Sequence, residues 1–107
     1  MNRTIDLLGI RFRVEYVECV SKEDNRLGEI NYLTNTIRID RTLPVDASNQ
    51  VLMHEILHGL FTLLGYDELS EDESKVQGIA TALHLLFSTQ DVFLSEEESN
   101  DDNDDSV

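Results

Sequence analysis

The chain has 107 residues and a mass of 12.2 kDa, enough for one domain around one core and too little for two. Its formal charge is −14, from 22 acidic against 8 basic side chains, a sign opposed to contact with phosphate backbones or anionic membranes, so neither nucleic acid nor membrane is expected as a partner. The excess is uneven: residues 1–41 carry seven charges of each sign, whereas 42–107 carry fifteen carboxylates against Lys75 alone.

Asp6 interrupts the N-terminal stretch MNRTIDLLGI, so no secretory signal is expected, and no apolar run approaches the length of a membrane span. The single cysteine, Cys19, lacks an internal disulfide partner. It is expected as a small half-buried strand residue, in keeping with a reducing cytoplasm.

Residues 10–18 alternate apolar and charged side chains, the period-two pattern of a half-buried strand. Ser21–Arg26 is polar and breaks it. Leu27–Thr34 and Thr36–Asp40 read as two strands of a hairpin around Asn35. Pro44 closes this region ahead of Asp46, Ser48 and Asn49, all favoured helix N-caps. A helix is expected from there to Leu64, with Gly65 as its stop. Tyr66–Leu69 is a short connection, and a second helix runs from a cap at Ser70 to about Ser88. The expected order is β-β-β-α-α, an α+β domain with a small antiparallel sheet over residues 1–94. Residues 95–107 carry seven carboxylates and too few apolar groups to offset the entropy of ordering, so this tail is expected to be disordered.

His54-Glu55-Ile56-Leu57-His58 is an H-E-x-x-H motif. On a helix, positions i and i+4 lie one above the other, so both imidazoles reach one metal ion. Glu55 stands beside them, placed to take a proton from water at that metal. Around the helix, Leu52, Met53, Ile56, Leu57, Leu60, Leu63 and Leu64 leave one narrow polar stripe of His54, Glu55, His58 and Thr62. A helix this apolar is packed on most of its surface. Its polar stripe then needs partners, which a metal such as Zn²⁺ supplies.

A third protein ligand has to come from the second helix or its lead-in, among Glu68, Glu71, Asp72, Glu73, Gln77 and His84. The His54–His58 midpoint lies roughly 13 Å before Gly65 at 1.5 Å per residue. An antiparallel second helix reaches that level near Gln77, a neutral amide poorly suited to zinc. His84 overshoots it. Glu73 falls short by roughly 8 Å, a distance that its side chain and an inclined crossing can cover. Asp72 is lower still and shorter. Ser70-Glu71-Asp72-Glu73 also matches a capping box, in which Glu73 merely bonds back to the Ser70 backbone. From the residues alone, the ligand and capping roles of Glu73 stand level.

The segments His54-Glu55-Ile56-Leu57-His58-Gly59 and Glu73-Ser74-Lys75-Val76-Gln77-Gly78-Ile79-Ala80 resemble the ImmA/IrrE family of small zinc metallopeptidases, especially its short phage-type members. The second segment is similar to that family's E-x-x-A-N-x-F-A helix, with Val, Gln and Ile substituted. The resemblance implies a minimal zincin-like domain in which His54, His58 and Glu73 hold Zn²⁺. It implies that Glu55 is the catalytic base in hydrolysis of a peptide bond, in a cytoplasmic protein such as a transcriptional repressor. It further implies an extended substrate on a sheet edge, at Glu29–Thr34 or Thr36–Asp40, with Tyr66 and His84 as candidate oxyanion partners. The competing expectation, from the carboxylate excess, is a catalytically silent protein whose acidic surface occupies a basic surface of a partner.

Overall fold

Two short hairpins build the sheet. The computed structural model describes residues 2–21 and 25–96; of the acidic segment 95–107, all but Ser95 and Glu96 lies outside these residues. Strand β1 (Asn2–Leu7) turns into β2 (Ile10–Val17) through Leu8 and Gly9, both with positive φ (51° and 86°). This is the backbone that two-residue hairpin turns require. Strands β3 (Gly28–Asn31) and β4 (Thr36–Asp40) form the second hairpin. Asn31 Oδ1 accepts from the backbone N–H groups of Leu33 and Thr34 at 2.9 and 3.1 Å, and Asn35 sits at φ 51°. Asparagine serves both needs of such a turn, the local side-chain bond and tolerance of the left-handed region.

The fold is α+β with four strands in the order β1-β2-β4-β3. The expected antiparallel sheet is corrected to a mixed one, because β2 and β4 run parallel in the middle, pairing Arg13–Val17 with Thr36–Asp40. The expected order also lacked β1 and a helix. Strand β1 lies at an edge with most side chains exposed, so it has no need of the apolar alternation that marks β2. Cys19 is exposed rather than half-buried: β2 ends at Val17, and Val20 is the residue that turns inward.

Helix α1 (Val45–Leu63) begins directly after Pro44, which takes the cap position without a side-chain bond. Asp46, Ser48 and Asn49 therefore lie inside its first turns and are not caps. Its end matches expectation. The Tyr66 N–H bonds the Phe61 carbonyl at 2.8 Å and the Gly65 N–H bonds that of Thr62 at 3.1 Å, with Gly65 at φ 82°, which is a Schellman stop. A single-turn helix, α2 (Asp67–Ser70), occupies the expected connection, and α3 (Glu73–Thr89) follows.

Helix α1 is the middle layer. One side meets the sheet, where Phe12, Val14, Ile37 and Ile39 are fully buried together with Leu7 and Leu52. The other side meets α3 through Leu57, Val76 and Ala80. None of residues 51–63 is exposed, as its composition demands. Among the described residues no helix is long and apolar enough to cross a membrane.

Candidate metal centre

The polar stripe of α1 opens along the seam between β3 and the start of α3. His54 and His58 lie one turn apart, their rings edge to face with centroids 4.8 Å apart. Glu73, the first residue of α3, reaches both: its Oε1 lies 3.0 Å from His54 Nε2 and its Oε2 lies 3.1 Å from His58 Nε2. The two Nε2 atoms are themselves 3.1 Å apart. Among the described residues this is the group of His, Cys, Asp and Glu side chains whose ligating atoms converge enough to hold a metal ion.

The cap of α3 is not where it was expected. Ser70 does not cap α3; Asp72 does, its Oδ1 accepting from the Lys75 N–H at 3.1 Å. That occupies the shorter side chain and frees Glu73 for the histidines. Helix α3 is capped two residues later than expected, after the extra turn of α2, and Glu73 as its first residue reaches the histidine pair. Of the other candidates, Gln77 makes a contact of a different kind: His54 Nδ1 lies 2.7 Å from its Oε1. An amide oxygen only accepts, so it selects the tautomer with hydrogen on Nδ1 and leaves the Nε2 lone pair pointing at Glu73 and His58. Gln77 Nε2 in turn donates to Thr81 Oγ1 at 3.3 Å, which also receives Gln50 Nε2 at 2.7 Å.

That arrangement tests whether a cation fits. The Nε2 lone pair of His54 and the two carboxylate oxygens of Glu73 meet within hydrogen-bond distance, with His58 Nε2 beside them, a cluster that a shared proton or a metal ion at its centre would hold together. Ligand atoms about 2.0 Å from a tetrahedrally bound zinc lie about 3.3 Å apart. The His54–His58 and His54–Glu73 separations of 3.1 and 3.0 Å come close to that edge, and one ligating atom from each of the three residues lies within 4.8 Å of the others. The donor set fits.

No family model, curated protein or solved structure matches this chain. The chemistry of the site therefore rests on its own geometry.

Glu55 is 7% exposed. Burial raises its pKa, against the opposing pull of His54 and His58, while the negative charges of Glu73 and Glu29 raise it further. The edge strand β3 approaches it closely. A Cβ at Gly28 would stand 3.2 Å from Glu55 Oε2 and only 2.5 Å from Val51 Cγ1, so glycine is what lets the strand lie this near α1. Beside the histidines a cleft of about 720 Å³ runs between β3 and the start of α3, with Ile30, Tyr32, Glu71 and Glu73 among its walls.

Sequence reasoning missed Tyr32. It lies in the β3–β4 turn, and its hydroxyl donates to Thr62 Oγ1 at 3.2 Å; the Thr62 and Ser70 hydroxyls are 2.7 Å apart, and Ser70 Oγ donates to the His58 carbonyl at 3.1 Å. Three hydroxyls thus tie the strand to the backbone of a histidine. Burial raises the Tyr32 pKa, opposed by the Thr62 bond and aided by Glu55. The expected oxyanion partners are elsewhere. Tyr66 is exposed beside Gly65 and Asp67, and His84 faces Leu52, Met53 and Ile56 on another side of α1. Strand β4 is likewise excluded as a substrate edge, because β2 and β3 pair with both its sides.

Proposed function

We propose that this chain is a zinc-dependent endopeptidase of minimal zincin design, acting on a cytoplasmic protein. The observation that carries the reading is the convergence of His54, His58 and Glu73 beside the buried carboxylate of Glu55. Two imidazoles and one carboxylate, with one position left open, are the donor set of catalytic rather than structural zinc. When bound, zinc supplies Lewis-acid polarisation of the scissile carbonyl and lowers the pKa of water towards neutrality.

The chain's own residues supply the rest. Glu55 accepts the proton from the attacking water, and its raised pKa makes it a better base than an exposed glutamate. It then delivers that proton to the leaving amine. Gln77 holds the His54 ring in the ligating tautomer. Among the described residues strand β3 has β4 on one side only, so its open edge accepts an extended peptide by strand addition. The resemblance to the ImmA/IrrE family adds a transcriptional repressor as the substrate class.

Metal analysis of the purified protein tests this directly. We expect one zinc per chain, lost in His58→Ala and Glu73→Ala. Glu55→Gln keeps the zinc and lowers peptide hydrolysis by at least about 10²-fold. Protein without stoichiometric zinc, or with activity untouched by Glu55→Gln, refutes the reading. Zinc without turnover in the wild type would favour the silent acidic binder.

A further inference from the structure

A second cleft, of about 430 Å³, adjoins the candidate metal centre and shares Gly28, His54 and Glu55 with the first. Leu27, Ala47 and Val51 give it an apolar floor that the proton chemistry does not use, and Gln50 and Gln77 also line it. We propose that this cleft takes an aliphatic or aromatic side chain of the substrate residue adjoining the cleaved bond, an inference that rests on the peptidase reading.

The register of β3 sets the direction of the side chains along this edge. Gly28 and Ile30 point towards α1, as their approaches to Val51 and Gly59 show. Glu29, between them, points to the opposite side, where Arg38 and Arg26 bind it at 3.0 and 3.3 Å. A peptide added at this edge alternates with the same period of two. Every second side chain is therefore directed to the α1 side of the sheet, where this cleft opens next to His54 and Glu55. The volume lies in the range of sites that bind small ligands, which are apolar with few polar groups. A cationic head would lie against Leu27, Ala47 and Val51 and could pair only with Glu55, whose carboxylate this reading assigns to the attacking water, so it is disfavoured. Glu55 at the mouth also repels acidic side chains. An uncharged, apolar side chain remains.

Binding of N-acetyl amino-acid hydroxamates to the zinc-loaded chain tests this without requiring turnover. The leucine compound should bind at least about tenfold more tightly than the glycine one, the scale set by transferring such a side chain into an apolar pocket. Ala47→Phe, which fills the floor, should erase that preference with zinc content unchanged. Equal affinity of the leucine and glycine compounds, or preference for the lysine one, overturns the subsite and leaves the metal reading standing. A preference that survives Ala47→Phe in a folded, zinc-loaded variant also overturns it. A wild-type chain that takes up no zinc overturns both.

Discussion

Gly28→Ala is the sharpest probe of how β3 is seated on α1. The added Cβ would stand 2.5 Å from Val51 Cγ1 and 3.2 Å from Glu55 Oε2. Carbon atoms pack best about 3.5 to 4.0 Å apart, so the overlap with Val51 is about 1 Å. A valine on a helix has essentially one rotamer, and it cannot swing aside cheaply. Overpacking of this kind costs about 1–3 kcal/mol. Removing glycine's freedom from the unfolded chain returns about 0.4–1 kcal/mol, which leaves a net loss of at most about 2.6 kcal/mol, and the overlap with a fixed rotamer places it above about 1 kcal/mol. In a domain of this size each kcal/mol lowers the melting temperature by about 4–8 °C. Thermal melts of the metal-free protein read this directly. Val51→Ala removes the colliding methyl, so a double-mutant cycle should show a favourable coupling above about 0.5 kcal/mol. A Gly28→Ala protein as stable as wild type, or one whose loss is not relieved by Val51→Ala, would refute the close approach and with it the seating of Glu55.

Other perturbations test separate contacts. Gln77→Leu removes the acceptor at His54 Nδ1 and should weaken zinc binding about 10- to 100-fold in a chelator competition, whereas Gln77→Glu should keep most of it. Ser70→Ala withdraws a buried hydroxyl from the His58 carbonyl and from Thr62 and should cost about 1–3 kcal/mol in urea unfolding; no loss would mean that the relay to Tyr32 is not formed. Thr42→Val tests a pH dependence. The Thr42 hydroxyl and N–H both donate to Asp40 Oδ1, at 2.7 and 2.9 Å, and these bonds lower the Asp40 pKa, the hydroxyl most. A carboxyl depressed in the folded state adds stability above its unfolded pKa, about 3.9, and loses it as pH falls through the folded value. The melting-temperature gap between wild type and Thr42→Val should therefore be present at neutral pH and close in acid below that range. An unchanged gap at low pH would sink the assignment.

The parts read from sequence are those set by short-range rules. Strand β2 follows from its alternation and the second hairpin from Asn35. The end of α1 follows from Gly65, and the packed face around His54, Glu55 and His58 from the helical period. What escaped depends on partners distant in the chain. Strand β1 sits at an edge and carries little apolar pattern. The parallel pairing of β2 with β4 leaves no local trace, because nothing within either strand records its neighbour's direction. The start of α3 was misassigned because Ser70 and Asp72 are equally good caps in isolation. Tertiary demand separates them: the Ser70 hydroxyl is drawn to the His58 carbonyl, leaving Asp72 as the cap. Tyr32 carried no signal beyond being a lone aromatic near a turn.

Glu73 stands at the very start of α3 and its side chain is 69% exposed, whereas those of His54 and His58 are 17% and 14% exposed in the middle of a covered helix. The three groups therefore differ in how readily local opening carries them away. Helix ends fray at almost no cost, while mid-helix side chains in a packed layer move only with the whole fold. If zinc is held here, its residence time is governed by the first turn of α3, and thus by the Asp72 cap four residues before Val76 locks the helix into the core. Asp72, which touches neither histidine nor substrate cleft, then acts as the latch on the metal's escape: loosening it would speed dissociation far more than it would change the resting geometry.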